Sequence, residues 1–265
     1  MDMAGELLRV ALAEHEAAQE RPYYDEGIDR AAAESYYGDV EPSFDALSKL
    51  LESTHRDQPH YSPAVELYPW VDLQPDGKIH SLYTDEVYEP EQLIEEAAQT
   101  HERREQLRAE NKDEAQVEEL APYNCEHTVC QSWFEHGEPM RGDLHHLFAC
   151  ERKCNSFRSN TPYTDFPDYL EVVREACGKS EASGFEPWRG KGPAARATLY
   201  FTLRYPKLGV YSEETLALIL AWHEAEPVSD YERHRNAAVF ERQGNRNPLI
   251  DHPEWVPKIA FSSGI

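Results

Sequence analysis

The chain has 265 residues, 40% of them hydrophobic, which is enough for a real core in one large or two small domains. No run of about eighteen apolar residues occurs, so a membrane-spanning helix is excluded. The net charge of −24 argues against a uniformly basic nucleic-acid binder, because binding phosphates releases counterions and draws on lysine and arginine.

Residues 4–19 carry Leu7, Leu8, Ala11 and Leu12 at helical spacing, and a second helix is predicted from Pro42 to Ser53 with Phe44, Leu47, Leu50 and Leu51 on one side. The MDMAGELLRVALAEHE start places acids where a secretory leader has basic residues before an apolar stretch, so a cytoplasmic protein is expected. Ala64 to Tyr83 is rich in aromatic and branched residues around Pro75-Asp76-Gly77 and reads as two strands joined by a turn. Pro90 to Leu120 is a charged helix whose second half lacks a sustained apolar stripe, which predicts a solvated insert or a mobile loop. Of the net charge, −20 lies before residue 121. That imbalance predicts an acidic layer turned away from any polyanionic substrate.

Two short strands are expected at Glu126–Val129 and Asp143–Phe148, then a helix from about Cys150 to Arg158 that stops before Pro162. Further helices are predicted at Asp168–Cys177, Pro193–Tyr205, Ser212–Ala225 and Val228–Arg242, the last ended by Gly244 and Asn245. The fold class is α+β, mostly helical with a small antiparallel sheet. The expected division is an acidic region over 1–120, helices plus a hairpin, packed on or inserted into a second domain over 121–265.

The strand, strand, helix segment holds the chemistry. Glu126 offers an anionic oxygen and Asn155 a neutral amide oxygen, sparse ligation of the kind magnesium favours because it keeps waters. His127, neutral near pH 7, is a base for an attacking water. Arg158, three residues beyond Asn155 on the same helix face, is a candidate phosphate clamp, and Arg141 is a second. Adjacent side chains in a regular strand face opposite ways, so Glu126 and His127 can share a site only where the strand ends or bulges. Each residue alone has a bland reading, as a surface pair, a helix amide or a solvated charge. Their order and spacing together point to a one-metal phosphodiesterase.

These residues resemble the bacterial endonuclease I family of ββα-metal (His-Me finger) nucleases from Tyr123 to the C-terminus. The motifs are Glu126-His127-Thr128, Gln131-Ser132-Trp133-Phe134, Asp143-Leu144-His145-His146-Leu147, Asn155-Ser-Phe-Arg158-Ser-Asn160 and the stretch from Asp230 to His252. Cys130 stands where relatives commonly have proline. The resemblance implies a ββα-metal core in which Glu126 and Asn155 hold Mg2+, with Mn2+ or Ca2+ as alternatives, and His127 is the general base. It implies cleavage of DNA, or alternatively RNA, with little sequence preference, leaving 5′-phosphate and 3′-hydroxyl ends. Asn160, Arg235 and Arg246 are then candidate nucleic-acid contacts, although Gln243–Pro248 reads first as a helix stop docking the C-terminal tail, with phosphate contact by Arg246 as the alternative. Most such relatives are exported, which makes a secreted or periplasmic location the alternative. No membrane or protein partner is implied.

Cys125, Cys130, Cys150 and Cys154 surround the segment and Cys177 follows; their spacing admits a structural zinc site, one or two disulfides, or reduced buried thiols. The rival to an enzyme is a catalytically silent nucleic-acid-binding or interaction protein whose acidic third engages a basic partner.

Overall fold

A computed structural model describes residues 3–171, 176–209 and 211–261. In chain order these form α1 (Met3–Gln19), α2 (Glu26–Tyr37), α3 (Phe44–Thr54), α4 (Pro63–Glu66), β1 (Ile79–His80), β2 (Val87–Tyr88), α5 (Pro90–Ala109) and α6 (Glu114–Leu120). There follow β3 (Cys125–His127), β4 (Leu147–Ala149), α7 (Arg152–Arg158), β5 (Gly178–Glu181), β6 (Gly184–Pro187), α8 (Lys191–Arg204), α9 (Glu213–Ala225), α10 (Asp230–Gln243) and α11 (Pro248–Asp251). The strands pair as the antiparallel ladders β1–β2, β3–β4 and β5–β6, so the class is α+β.

The chain divides into two compact units, Met1–Pro22 with Pro59–Asn160, and Tyr23–Gln58 with Thr161–Ile265. The first unit thus combines much of the acidic region with residues 121–160. The physical reason is burial: a two-stranded ladder of three residues each cannot cover its own faces. In the first unit α7 packs on β3, and α1, α4 and α5 pack on one another.

Helix α5 is not a solvated insert. It buries Leu93, Ile94, Ala97, Ala98, Arg104 and Leu107. The stripe persists into the second half at helical spacing, but an arginine fills one of its positions. Arg104 donates to the Ala121 carbonyl at 2.8 Å, and Leu107 joins Val117 and Ala121 in a hydrophobic cluster. Asp113 opens α6 with a capping box closed by Gln116.

The predicted hairpin over 64–83 forms only in its second half. Pro63 sits at the first turn of α4, where its missing N–H costs nothing, and that helix replaces the first strand. The turn survives, with Gly77 at φ +76° and a bridge from Leu73 to Ile79. Ile79 then pairs with Tyr88.

The strand, strand, helix order appears as β3, β4 and α7. Register places Cys125 opposite Ala149, Glu126 opposite Phe148 and His127 opposite Leu147. The expected strand from Asp143 begins instead as a 3-10 turn over Leu144–His146, because the Asp143 side chain accepts from the His145 N–H and caps it. Buried Asp72 accepts from the Ala149 N–H at 2.6 Å and the Leu82 N–H donates to the Ala149 carbonyl at 2.9 Å, pinning β4 on its outer edge.

In the second unit α8 is buried along nearly its whole length and packs on α3 and α9. Ser212 caps α9, and a Ser229–Glu232 capping box opens α10. Gly244, at φ +82°, ends α10. Of the helix predicted at Asp168–Cys177, Tyr169–Glu171 forms one 3-10 turn and residues 172–175 lie outside the described residues.

Candidate active site

A cleft of about 550 Å3 in the first unit is lined by Glu126, His127, Asn155, Arg158 and Asn160 together with α6 and the segment after β3. Glu126 and His127 both reach it because His127 is the last residue of β3, where strict alternation ends. Asn155 and Arg158 arrive from α7, which packs on β3.

Glu126 is 1% exposed. Burial pushes its carboxyl above the usual range, opposed by the Arg158 guanidinium and by the Tyr83 hydroxyl. Tyr83 donates to Oε1 at 2.9 Å, and Arg158 pairs with the same oxygen. Arg158 also donates to the His127 carbonyl at 2.9 Å and the Thr128 carbonyl at 2.8 Å, so it staples β3 to α7 from the inside.

His127 lies 2.9 Å through Nε2 from the Arg141 carbonyl. A carbonyl only accepts, so Nε2 carries the proton and Nδ1 the lone pair. Burial drives the imidazole well below its ordinary range, reinforced by His146 and opposed by the hydrogen bond to the Arg141 carbonyl. A neutral ring with its tautomer fixed is the form a base requires. Tyr61 and His146 pack against it with ring centroids 4.7 and 5.3 Å away.

Asn155 donates from Nδ2 to the Cys125 carbonyl at 3.0 Å, which turns its amide oxygen to the other end of the group. Both contacts to Glu126 engage Oε1, so Oε2 is the oxygen directed elsewhere. One carboxylate oxygen and one amide oxygen, on residues lining the same cleft, suit a hard divalent cation that keeps most of its waters. Among the described residues no group of three or more His, Cys, Asp or Glu is arranged to hold a metal.

The arginines expected along a DNA track are placed differently. Arg141 is buried, with its guanidinium taken by Gln131 at 2.9 Å, Glu114 at 2.5 Å and Glu118 at 3.3 Å. It is the Arg141 backbone, not the side chain, that touches His127. Arg158 is committed to Glu126 and two carbonyls. Arg235 is 2% exposed within α10, and Arg246 is fully buried against Asp29 at 2.6 Å and Asp251 at 2.8 Å. Gln243–Pro248 thus takes the helix-stop form. Asn160, by contrast, is exposed on the cleft wall.

The acidic layer does not lie away from the site. Glu118 and Glu119 of α6 line the cleft. Cys154 and Cys177 are disulfide-bonded, while Cys125, Cys130 and Cys150 are free and buried. The Cys154 sulfur is therefore not a thiolate ligand, and the zinc arrangement built on it is withdrawn. Tyr83 was missed by sequence reasoning. Nothing in a short aromatic segment forty-three residues before Glu126 announces the contact.

A family model described as Endonuclease I matches residues 44–254. The chain belongs to the endonuclease I family. It is 30% identical over 159 residues to an extracellular ribonuclease of Bacillus subtilis (strain 168), covering 53% of this chain and 54% of that one. An extracellular ribonuclease of Bacillus amyloliquefaciens is 33% identical over 135 residues, 44% of this chain and 46% of its own. An extracellular deoxyribonuclease of Aeromonas hydrophila is 30% identical over 118 residues, 42% and 50%. This family member thus spans about half the length of the curated relatives it matches. These three are named as extracellular, so the expectation of a cytoplasmic location finds no support among them.

Proposed function

We propose that the chain is a divalent-metal-dependent endonuclease of the ββα-metal type, hydrolysing DNA, with RNA as the competing substrate, and leaving 5′-phosphate and 3′-hydroxyl ends. The observation that carries the reading is His127 held as the Nε2–H tautomer in the same cleft as Glu126 and Asn155. A binding module has no use for a buried imidazole of fixed tautomer in the cleft that Glu126 and Asn155 also line.

In this reading Glu126, through Oε2, and Asn155, through its amide oxygen, hold the cation. When bound, Mg2+, or alternatively Mn2+ or Ca2+, neutralises charge growing on the phosphoryl oxygens. His127 Nδ1 takes the proton of the attacking water, while the Arg141 carbonyl holds the ring through Nε2 and stabilises the imidazolium that forms. Arg158 acts by fixing Glu126 and the end of β3 rather than by clamping phosphate. Asn160 and the neutral side chains Gln131, Ser132 and Ser156 supply the hydrogen bonds that seat the sugar-phosphate backbone.

We further propose that the protein works outside the cytoplasm. The names of the relatives support this, and so does the bonded state of Cys154 and Cys177, since disulfides persist in oxidising compartments.

The test is digestion of supercoiled plasmid, single-stranded DNA and RNA with Mg2+, Mn2+ or Ca2+ and with a chelator, followed by end analysis. Cleavage of at least one substrate that stops on chelation, with 5′-phosphate ends, is expected. Failure with every ion, or undiminished cleavage in chelator, overturns the proposal.

A further inference from the structure

We infer that Tyr83 is a positioning residue for the cation ligand Glu126. The inference rests on the proposed role of Glu126 and goes beyond it, because it assigns part of the site to a segment outside the strand, strand, helix unit.

Tyr83 is fully buried, and its hydroxyl stands between two charged groups. It donates to Glu126 Oε1 at 2.9 Å and accepts from Arg158 Nη1 at 3.5 Å. Arg158 pairs with the same Oε1. Two donors converging from different directions on one oxygen define both the position and the plane of the carboxylate. The remaining oxygen, Oε2, then has one direction in which to point. With Arg158 alone, the carboxylate could pivot about a single contact and Oε2 would lose its aim.

The segment that carries Tyr83 is itself fixed on both sides. The Leu82 N–H donates to the Ala149 carbonyl at 2.9 Å, laying residues 81–84 along the outer edge of β4. The hydroxyls of Ser81 and Thr84 both donate to Glu151, the residue at the start of α7. Tyr83 is therefore referenced to β4 and to the helix that brings Asn155. A ring that served only the core could be phenylalanine. A hydroxyl at this depth is costly unless bonded, and here its bonds go to the ligand and to the ligand's counter-ion.

Outer partners of metal ligands typically alter affinity by about 10- to 100-fold when removed. The experiment measures Mn2+ binding by loss of the free-ion electron paramagnetic resonance signal, on the 265-residue chain, for wild type, Tyr83→Phe, Glu126→Gln and the double variant. Folding is followed by melting temperature. Tyr83→Phe deletes one oxygen and keeps the ring, and it is expected to weaken Mn2+ binding by about 10-fold or more. Added to Glu126→Gln, it should produce no further weakening, because Tyr83 acts through Glu126. Equal weakening in both backgrounds, or a lowered melting temperature with unchanged Mn2+ affinity, gives Tyr83 only a packing role and overturns the inference while Glu126 remains a ligand. Absence of Mn2+ binding by wild type, or full affinity in Glu126→Gln, removes the cation reading of Glu126 and the inference with it.

Discussion

Glu118 is the residue at which substrate binding can be separated from chemistry. Its side chain is 17% exposed, lines the cleft, and takes Arg104 at 2.9 Å and Arg141 at 3.3 Å. Together with Glu114, which holds Arg108 and Arg141, it leaves these guanidiniums occupied on the protein side. A nuclease whose arginines are so committed neutralises few phosphates, and its binding should fall only shallowly with salt. Glu118→Gln keeps the volume and removes one negative charge from the cleft wall. That is equivalent to about one more neutralised phosphate, so the slope of log K against log salt should steepen by about 0.9 for duplex or 0.7 for single strands. Two buried guanidiniums lose a partner at the same time, and the fold should lose about 3 kcal/mol. The assay is fluorescence anisotropy of a labelled oligonucleotide from low to high salt, in a His127→Ala background so that nothing is cut. A wild-type slope on the order of that for eight phosphate contacts, or an unchanged slope in Glu118→Gln, would refute the reasoning.

Asn155→Ala should raise the Mg2+ concentration needed for half-maximal cleavage and regain much of the rate at higher Mg2+, as read from metal titrations of the cleavage rate. Gly142→Ala would bring a Cβ within 1.8 Å of the Pro59 carbonyl oxygen, next to the residue whose carbonyl holds His127; a loss of about 1–3 kcal/mol and a fall in cleavage rate are expected, from urea unfolding and initial rates. Alkylation in denaturant without reductant should label Cys125, Cys130 and Cys150 and spare Cys154 and Cys177, with all five labelled after reduction, as mass spectrometry will read.

Which parts of this were legible in the sequence follows from where each decision is made. Helices α9 and α10 announce themselves locally, through the Ser212 cap, the Ser229–Glu232 box and the glycine stop at Gly244. The order of β3, β4 and α7 was also legible, because the Glu126-His127 pair and the Asn155 helix carry their spacing in the chain. Helix α2, EGIDRAAAESYY, went unseen because it has no continuous apolar stripe to mark it, though Asp25 caps it. The β5–β6 hairpin was missed for a similar reason: Gly178-Lys179-Ser180-Glu181 shows no alternation of apolar residues.

Arginine roles were the least legible. Whether a guanidinium meets phosphate or carboxylate depends on a partner distant in sequence, as Arg246 with Asp29 illustrates, 217 residues apart. The same holds for Tyr83 and Glu126. For Arg104, an apolar stripe interrupted by a charge looked solvated, yet the charge is buried against a carbonyl and Glu118.

The central claim is that His127 is the base and the cation is held by others, and one measurement meets it directly. Plasmid cleavage at saturating Mg2+ by His127→Ala should fall by about 10²-fold to 10⁴-fold, the usual worth of a general base, with oligonucleotide affinity close to wild type and a melting temperature lowered by loss of the buried ring but still above the assay temperature. Cleavage by His127→Ala at the wild-type rate would contradict the account.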